Sequence, residues 1–495
     1  MTVDPRTPVL IGHGQVNHRD DVDPSARSVE PVDLMVAAAR RAADARVIEA
    51  VDSIRVVNIL SAQYRDPGLL LGERLGATDF GTLYSPVGGN VPQSLVNQAC
   101  LDIQRGRAAV VLLAGAETWR TRRALKAKGA RLEWTAQDPS VPMATVTDDD
   151  VPMAGDAEIR IRLDRPAYVY PLFEQALRIA NGESPGEHIE RIGRLWARFN
   201  AVAVDNPHAW IRKPVTAEEI ARPGPQNRMI SWPYTKLMNS NNMVDQGAAL
   251  VLTSVERARR LRIPAERWVF PHAGTDAHDT PAVAERDELH RSAAIRIAGA
   301  RALQLAGLGI DDLDYVDLYS CFPSAVQAAA AELGLGTDDP DRPLTVTGGL
   351  TFAGGPWSNY VMHSIATTAE LLVANPGRRA LVTANGGYLT KHSFGVYGSA
   401  PPPAEFRWED AQPAVDREPT RDGLVEWEGV GTVESWTTPF DRDGKPEKAF
   451  VAVRTPDGSR TLAVITDPAA AEATVREDIG GAKVAVGADG SAALQ

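Results

Sequence analysis

Short apolar runs alternate with helical stretches along most of the chain, the pattern of an α/β protein whose sheets are covered on both faces. Pro8 to Gly12 reads as a first strand, and Val32 to Ala45 as an alanine-rich helix with Leu34, Ala38 and Ala42 on one face. Val51 to Leu60 is a second strand and Pro67 to Leu75 another helix. From about Thr118 to Asn239 the periodicity loosens into short helices, prolines, aromatics and basic residues, as in an insertion covering a pocket. The buried-strand pattern returns at Val244 to Ser254. A helix follows over Arg291 to Ala306, and a strand over Tyr315 to Tyr319 runs into the helix of SCFPSAVQAAAAEL. After Ser399, Pro401 to Pro403 open a polar linker lasting to about Arg421. Short strands then follow, with Asp443-Gly444 and Asp457-Gly458 as hairpin turns, which predicts a small, separate all-β module.

Two segments half a chain apart share one layout. Pro86 to Glu117 and Thr351 to Gly387 each begin with a glycine pair, Gly88-Gly89 or Gly354-Gly355, followed by a helix. Each helix ends near a glycine suited to a left-handed cap, Gly106 or Gly377. Each is followed by a β-branched run, Val110 to Ala114 or Ala380 to Ala384. Any α/β protein repeats such units, but the nearly equal spacing favours a duplication.

Composition narrows the function classes. At 495 residues the chain is long enough for several domains, and 44% hydrophobic and 23% charged residues are ordinary for a globular protein. A formal charge of −12 argues against nucleic acid as partner, while leaving room for one small anion on a local basic patch. No apolar run is long enough to span a bilayer. Cys100 and Cys321 give neither a disulfide framework nor a zinc spacing, so a reducing cytoplasm is expected.

The two repeated segments, together with AGAETW (Ala114 to Trp119), VDQGAAL, DLYSCF (Asp317 to Phe322) and GGLTFAGGP (Gly348 to Pro356), resemble the thiolase superfamily of acetyl-CoA acetyltransferases. Within it the chain is similar to the actinobacterial type 1 thiolase-like proteins, which add a small β domain to a thiolase body. The resemblance implies a five-layered αβαβα fold from two similar halves, a role in lipid metabolism, and coenzyme A or acyl-CoA as ligand. It divides the chain into a first half (1–117 plus 240–270), a loop domain over the CoA (118–239), a second half (271–400), a linker (401–420) and a barrel-like β domain (421–495). Thiolases often form dimers or tetramers; here the oligomeric state stays open.

The resemblance also locates what is missing. The position of the family's nucleophilic cysteine falls on Gly89, and the histidine of its G-H-P element on Gly355. The pair from the N-E-A-F or H-D-x-F element falls on Tyr319 and Ser320, and the second cysteine on Ala384. Without a nucleophile no acyl-enzyme forms by the family route. Cys321 and His392 are candidate substitutes for acyl transfer or thioester hydrolysis, each otherwise a structural residue. His363 is a weaker candidate, and His13 with His18 lack a third metal ligand. Trp119, Arg120, Arg122, Arg123, Lys126 and Lys128 could hold the nucleotide part of CoA, or form a solvated helix face. The glycine pairs could offer backbone N–H groups to a thioester carbonyl. The β module could instead dock a partner or cover the pocket.

Overall fold

The computed structural model describes residues 3–23, 27–147 and 151–495. Two five-stranded sheets repeat one pattern. In the first, Pro8–Asn17 pairs antiparallel with Asp245–Ser254, which pairs antiparallel with Val110–Thr118; Ser53–Val56 then runs parallel, and Gly81–Tyr84 closes the edge. In the second, Phe270–His278, Lys391–Gly398, Arg379–Gly386 and Tyr315–Asp317 follow in the same antiparallel, antiparallel, parallel order. The central strands are buried from end to end because helices cover both faces.

Two helices, Val91–Gln104 and Tyr360–Ala374, lie between the sheets. Pro31–Ala42 covers the outer face of the first sheet and Ala293–Ala306 that of the second, which completes the five αβαβα layers. Gly106 (φ 71°) and Gly377 (φ 90°) take the left-handed conformation just past the two inner helices, where a side chain would be strained. The glycine pairs are less alike than their spelling. Val91–Gln104 begins two residues after Gly89, whereas a 3-10 turn, Trp357–Asn359, separates Gly355 from Tyr360–Ala374.

The C-terminal sheet runs in the order Gly423–Leu424, Arg460–Ile465, Ala449–Arg454, Gly429–Pro439, Lys483–Val486, Ala492–Leu494. It is not purely β, since the helix Pro468–Arg476 packs on it and supplies the Thr474 carbonyl to Trp436 Nε1. Nor is the stretch before it a bare linker: Arg407–Asp410 joins the second sheet parallel to Phe270–His278, held by an Arg301–Glu409 ion pair at 2.6 Å. A proline-spaced polar segment still forms a strand when an open sheet edge supplies the hydrogen bonds.

The C-terminal domain is fastened to the body by arginines. Arg178, 3% exposed, makes two bonds of 2.7 and 2.8 Å to Asp478 and lies over the Trp436 ring. Arg460, fully buried, bonds both oxygens of Glu434 and donates to the Ala284 and Asp287 carbonyls of the body. Thr438 and Pro439 pair with Trp232 and Ser231, extending a strand contact into the loop domain.

Candidate functional site

The halves meet at a cleft of about 420 Å³, within the roughly 300–1,000 Å³ usual for small-molecule sites. Its wall comes from Val87 to Gly89 ahead of one inner helix, and Leu350, Trp357 and Ser358 ahead of the other. Asn385 to Gly387 at a strand end, Tyr319, Cys321 and Phe322, and the start of the loop-domain helix Pro166–Ala180 also line it. Gly88 N–H donates to Ser358 Oγ across the junction at 3.2 Å. A Cβ on Gly355 would meet Asn242, Ser240 and Leu350, all three of which line the cleft. Both glycine elements thus converge on one cavity.

Gly89 is there for space. A Cβ at this position would come closer than 3.0 Å to the Tyr319 hydroxyl and to the backbone oxygen of Asn385. Tyr319 thereby takes the room that a side chain at 89 would need. The Gly355 N–H does not face a ligand, because it donates to the Asn241 carbonyl at 2.9 Å; the expected oxyanion donor on that side is already used. Ala384 lines a small void behind Tyr319 rather than the cleft.

Cys321 lies in the cleft wall, 7% exposed, its sulfur 3.8 Å from Asn385 Nδ2. Burial pushes its thiol up to about 12, despite hydrogen bonds with Tyr170 and Asn385 that favour the thiolate. Cys100 is fully buried and its thiol is also pushed up. The native protein at pH 8 should therefore show no rapidly reacting thiol with an aromatic disulfide reagent, and two after denaturation. One fast equivalent in the folded state would contradict this.

His392 belongs elsewhere. It lines a separate cavity of about 370 Å³ with Asn90, Ser94 and His278, and its ring stands 3.6 Å from the buried carboxylate of Asp279. It forms no dyad with Cys321. His363 packs on the first sheet, with Nδ1 2.9 Å from Gln15 Oε1, and burial drops its imidazole to about 3. His13 and His208 flank Glu370, and His18 faces Asp20.

The basic helix Trp119–Ala127 stands beside the cleft, not in it. Trp119 packs against Trp357 of the wall at 6.2 Å, and the Arg122 guanidinium lies 5.2 Å over the Trp119 ring. Arg120 is tied to the Arg19 and Asp20 carbonyls and Lys128 to that of Val22. Arg123 and Lys126 are exposed. The cation that does line the cleft, Arg165, carries no sequence signal. Tyr170, on the helix that follows it, carries none either.

A buried polar network supports this wall from behind. Glu174 bonds Tyr234, Gln327 and His188, whose other nitrogen is 2.5 Å from Glu183. Tyr234 reaches Ser324 at the start of Pro323–Leu333, and Ser324 reaches the Tyr170 carbonyl. Burial alone would raise the Glu183 carboxyl, but Arg191 and His188 outweigh it and hold it at about 2, below its ordinary 4.5. A depressed carboxylate gives its full stabilisation above the unfolded value and loses it as pH falls through the folded one. With 22% of the side chain exposed, about 1–2 kcal/mol should vanish between pH 4.5 and 2. Urea unfolding across that range should show a flatter decline for Glu183→Gln; an identical slope would refute the assignment.

Comparison with known proteins gives three further findings. Residues 410–491 match the family model described as the thiolase-like protein type 1 additional C-terminal domain. The crystal structure of a monomeric SCP2-thiolase like protein type 1 from Mycobacterium smegmatis is 32% identical, with all of both chains covered and a TM-score of 0.84. Human mitochondrial 3-ketoacyl-CoA thiolase (16% identity, 80% of this chain and all of that one, TM-score 0.57) and an Ltp2-ChsH2(DUF35) aldolase (21%, 80% and 98%, 0.59) share the fold.

Proposed function

The chain belongs to the SCP2-thiolase-like proteins of type 1, and on that premise we propose that it binds coenzyme A thioesters without the covalent step of ordinary thiolases. The observation that carries this reading is the Gly89–Tyr319 pair: a mostly apolar cleft at the junction of the halves, where a tyrosine hydroxyl fills the side-chain space of Gly89, the residue that the resemblance sets at the family's nucleophile. A human relative of the same fold is named as a 3-ketoacyl-CoA thiolase, which supports a CoA thioester as ligand. The acyl end enters the cleft, and the nucleotide lies outside it against Trp119, Arg122, Arg123 and Lys126. Arginine forks suit its phosphates.

Titration calorimetry with acetyl-CoA should give binding that Arg122→Glu with Lys126→Glu weakens at least tenfold. No heat of binding in the unmodified protein would remove the CoA assignment, and unchanged affinity in the double variant would remove the nucleotide site. Acetoacetyl-CoA thiolysis should remain at background, since losing the nucleophile costs on the order of 10⁶ in rate.

Acyl transfer or thioester hydrolysis through Cys321 is the second reading, favoured only by its place in the cleft wall and opposed by a thiol that burial keeps protonated. Thiol release from acyl-CoA that disappears in Cys321→Ala would establish it. The arginine-fastened C-terminal domain supports a structural part for that domain rather than a free docking module. We further propose a monomer in the cytoplasm, acting in lipid metabolism. A relative covering the whole chain is described as monomeric, and both cysteines are free. Sedimentation at a dimer mass would refute the first point.

A further inference from the structure

Asn385 is 4% exposed and sits in the cleft wall, deep behind a mouth formed by the partly exposed Val87, Met153 and Trp357. The orientation of its amide follows from Tyr170. The Tyr170 hydroxyl has one proton, for which the Gly387 carbonyl at 3.2 Å and the Cys321 sulfur both stand as acceptors. The hydroxyl oxygen accepts from Leu389 N–H at 2.9 Å. The contact with Asn385, also 2.9 Å, must then bring a donor, so Nδ2 faces Tyr170. Asn385 Oδ1 is left buried and accepts no hydrogen bond among the described residues. Native proteins rarely leave such an acceptor unpaired without a reason.

We infer that the cleft selects a thioester whose acyl part carries a hydroxyl group, which donates to Asn385 Oδ1. The inference rests on the CoA reading above. A plain or keto acyl chain offers only acceptors (the carbonyls) and C–H groups, and would leave Oδ1 unsatisfied. A hydroxyl supplies the missing donor. The Tyr319 hydroxyl, which occupies the side-chain space of Gly89, also belongs to the cleft wall, so the ligand's own oxygen can accept from it. The nucleotide and its phosphates are too large and too charged for a cavity of about 420 Å³ lined mainly by apolar side chains. With the nucleotide excluded, the acyl end is set at Asn385; the pantetheine amides, shared by every CoA thioester, cannot distinguish one acyl group from another.

The test compares butyryl-CoA with 2-hydroxybutyryl-CoA and 3-hydroxybutyryl-CoA by titration calorimetry on the full chain. At least one hydroxyacyl thioester should bind roughly tenfold or more tightly than butyryl-CoA, because leaving a buried acceptor unpaired is costly. Asn385→Leu should bring the affinities for the three thioesters together, whatever its effect on their common level. Equal affinities in the unmodified protein overturn the inference, as does a preference that survives in folded Asn385→Leu. Should that variant not fold, Asn385→Ser takes its place, and the comparison on the unmodified protein decides by itself. If none of the three thioesters binds, it is the CoA reading that has failed.

Discussion

Replacing Arg460 with alanine should cost about 3–5 kcal/mol of folding stability. The guanidinium is fully buried, bonded to both oxygens of Glu434 at 2.6 and 2.8 Å and to carbonyls of the segment from Ala284 to Asp287. Truncation would leave the Ala284 carbonyl without its donor, the Asp287 carbonyl with only Arg421 and Arg454, and the carboxylate with only Arg454 to balance it. The cost comes from these orphaned groups more than from the attraction lost. The double variant Arg460→Met with Glu434→Leu should accordingly recover part of the loss. Guanidinium unfolding measures both, and a change below about 1 kcal/mol for the alanine variant would show that the contact contributes little.

On the proposed reading, a cysteine placed at position 89 should not bring thiolase chemistry with it. Gly89→Cys is expected to leave thiolysis at background and to destabilise the fold by about 1–3 kcal/mol through overpacking. The new Cβ would press on the Tyr319 hydroxyl and on the backbone oxygen of Asn385. Trimming Tyr319 relieves the first contact; only movement of the strand Arg379–Gly386 relieves the second. If Gly355 stands at the family's histidine, as the resemblance implies, no imidazole is at hand there to activate a thiol. Thiolysis appearing in the single variant would mean the cleft had kept a working catalytic geometry and needed only its sulfur.

The body of the fold was legible because its signals are periodic. Buried runs such as Val110 to Ala114 and Ala380 to Ala384, each behind a glycine-ended helix, carry the duplication in their spacing. Structure lengthened these strands at their ends, to Thr118 and Gly386, where buried polar residues satisfy the ladder but break the apolar pattern. The cleft was only half legible. Gly89, Tyr319 and Cys321 could be placed by resemblance, but Arg165 and Tyr170 reach the wall from a distant segment with no motif of their own. Asn385 was visible as a neighbour of Ala384, yet only three-dimensional geometry shows that position 385, and not 384, lines the cleft. His392 misled for the opposite reason: it closely follows Gly386-Gly387 in sequence, but a strand carries it to the other side of Tyr319. Arg407–Asp410 was hidden among prolines because a strand's partner edge cannot be read from the strand itself.

That short edge strand also decides where the chain can be cut. A protein ended at Ala400, the obvious choice for isolating the duplicated body, would strip Phe270–His278 of its neighbour along Ala273 to Asp276. The bared ribbon of amides and carbonyls is an adhesive template for another copy. Such a truncated product would clump during purification, and its insolubility would be mistaken for an inability to bind the ligand.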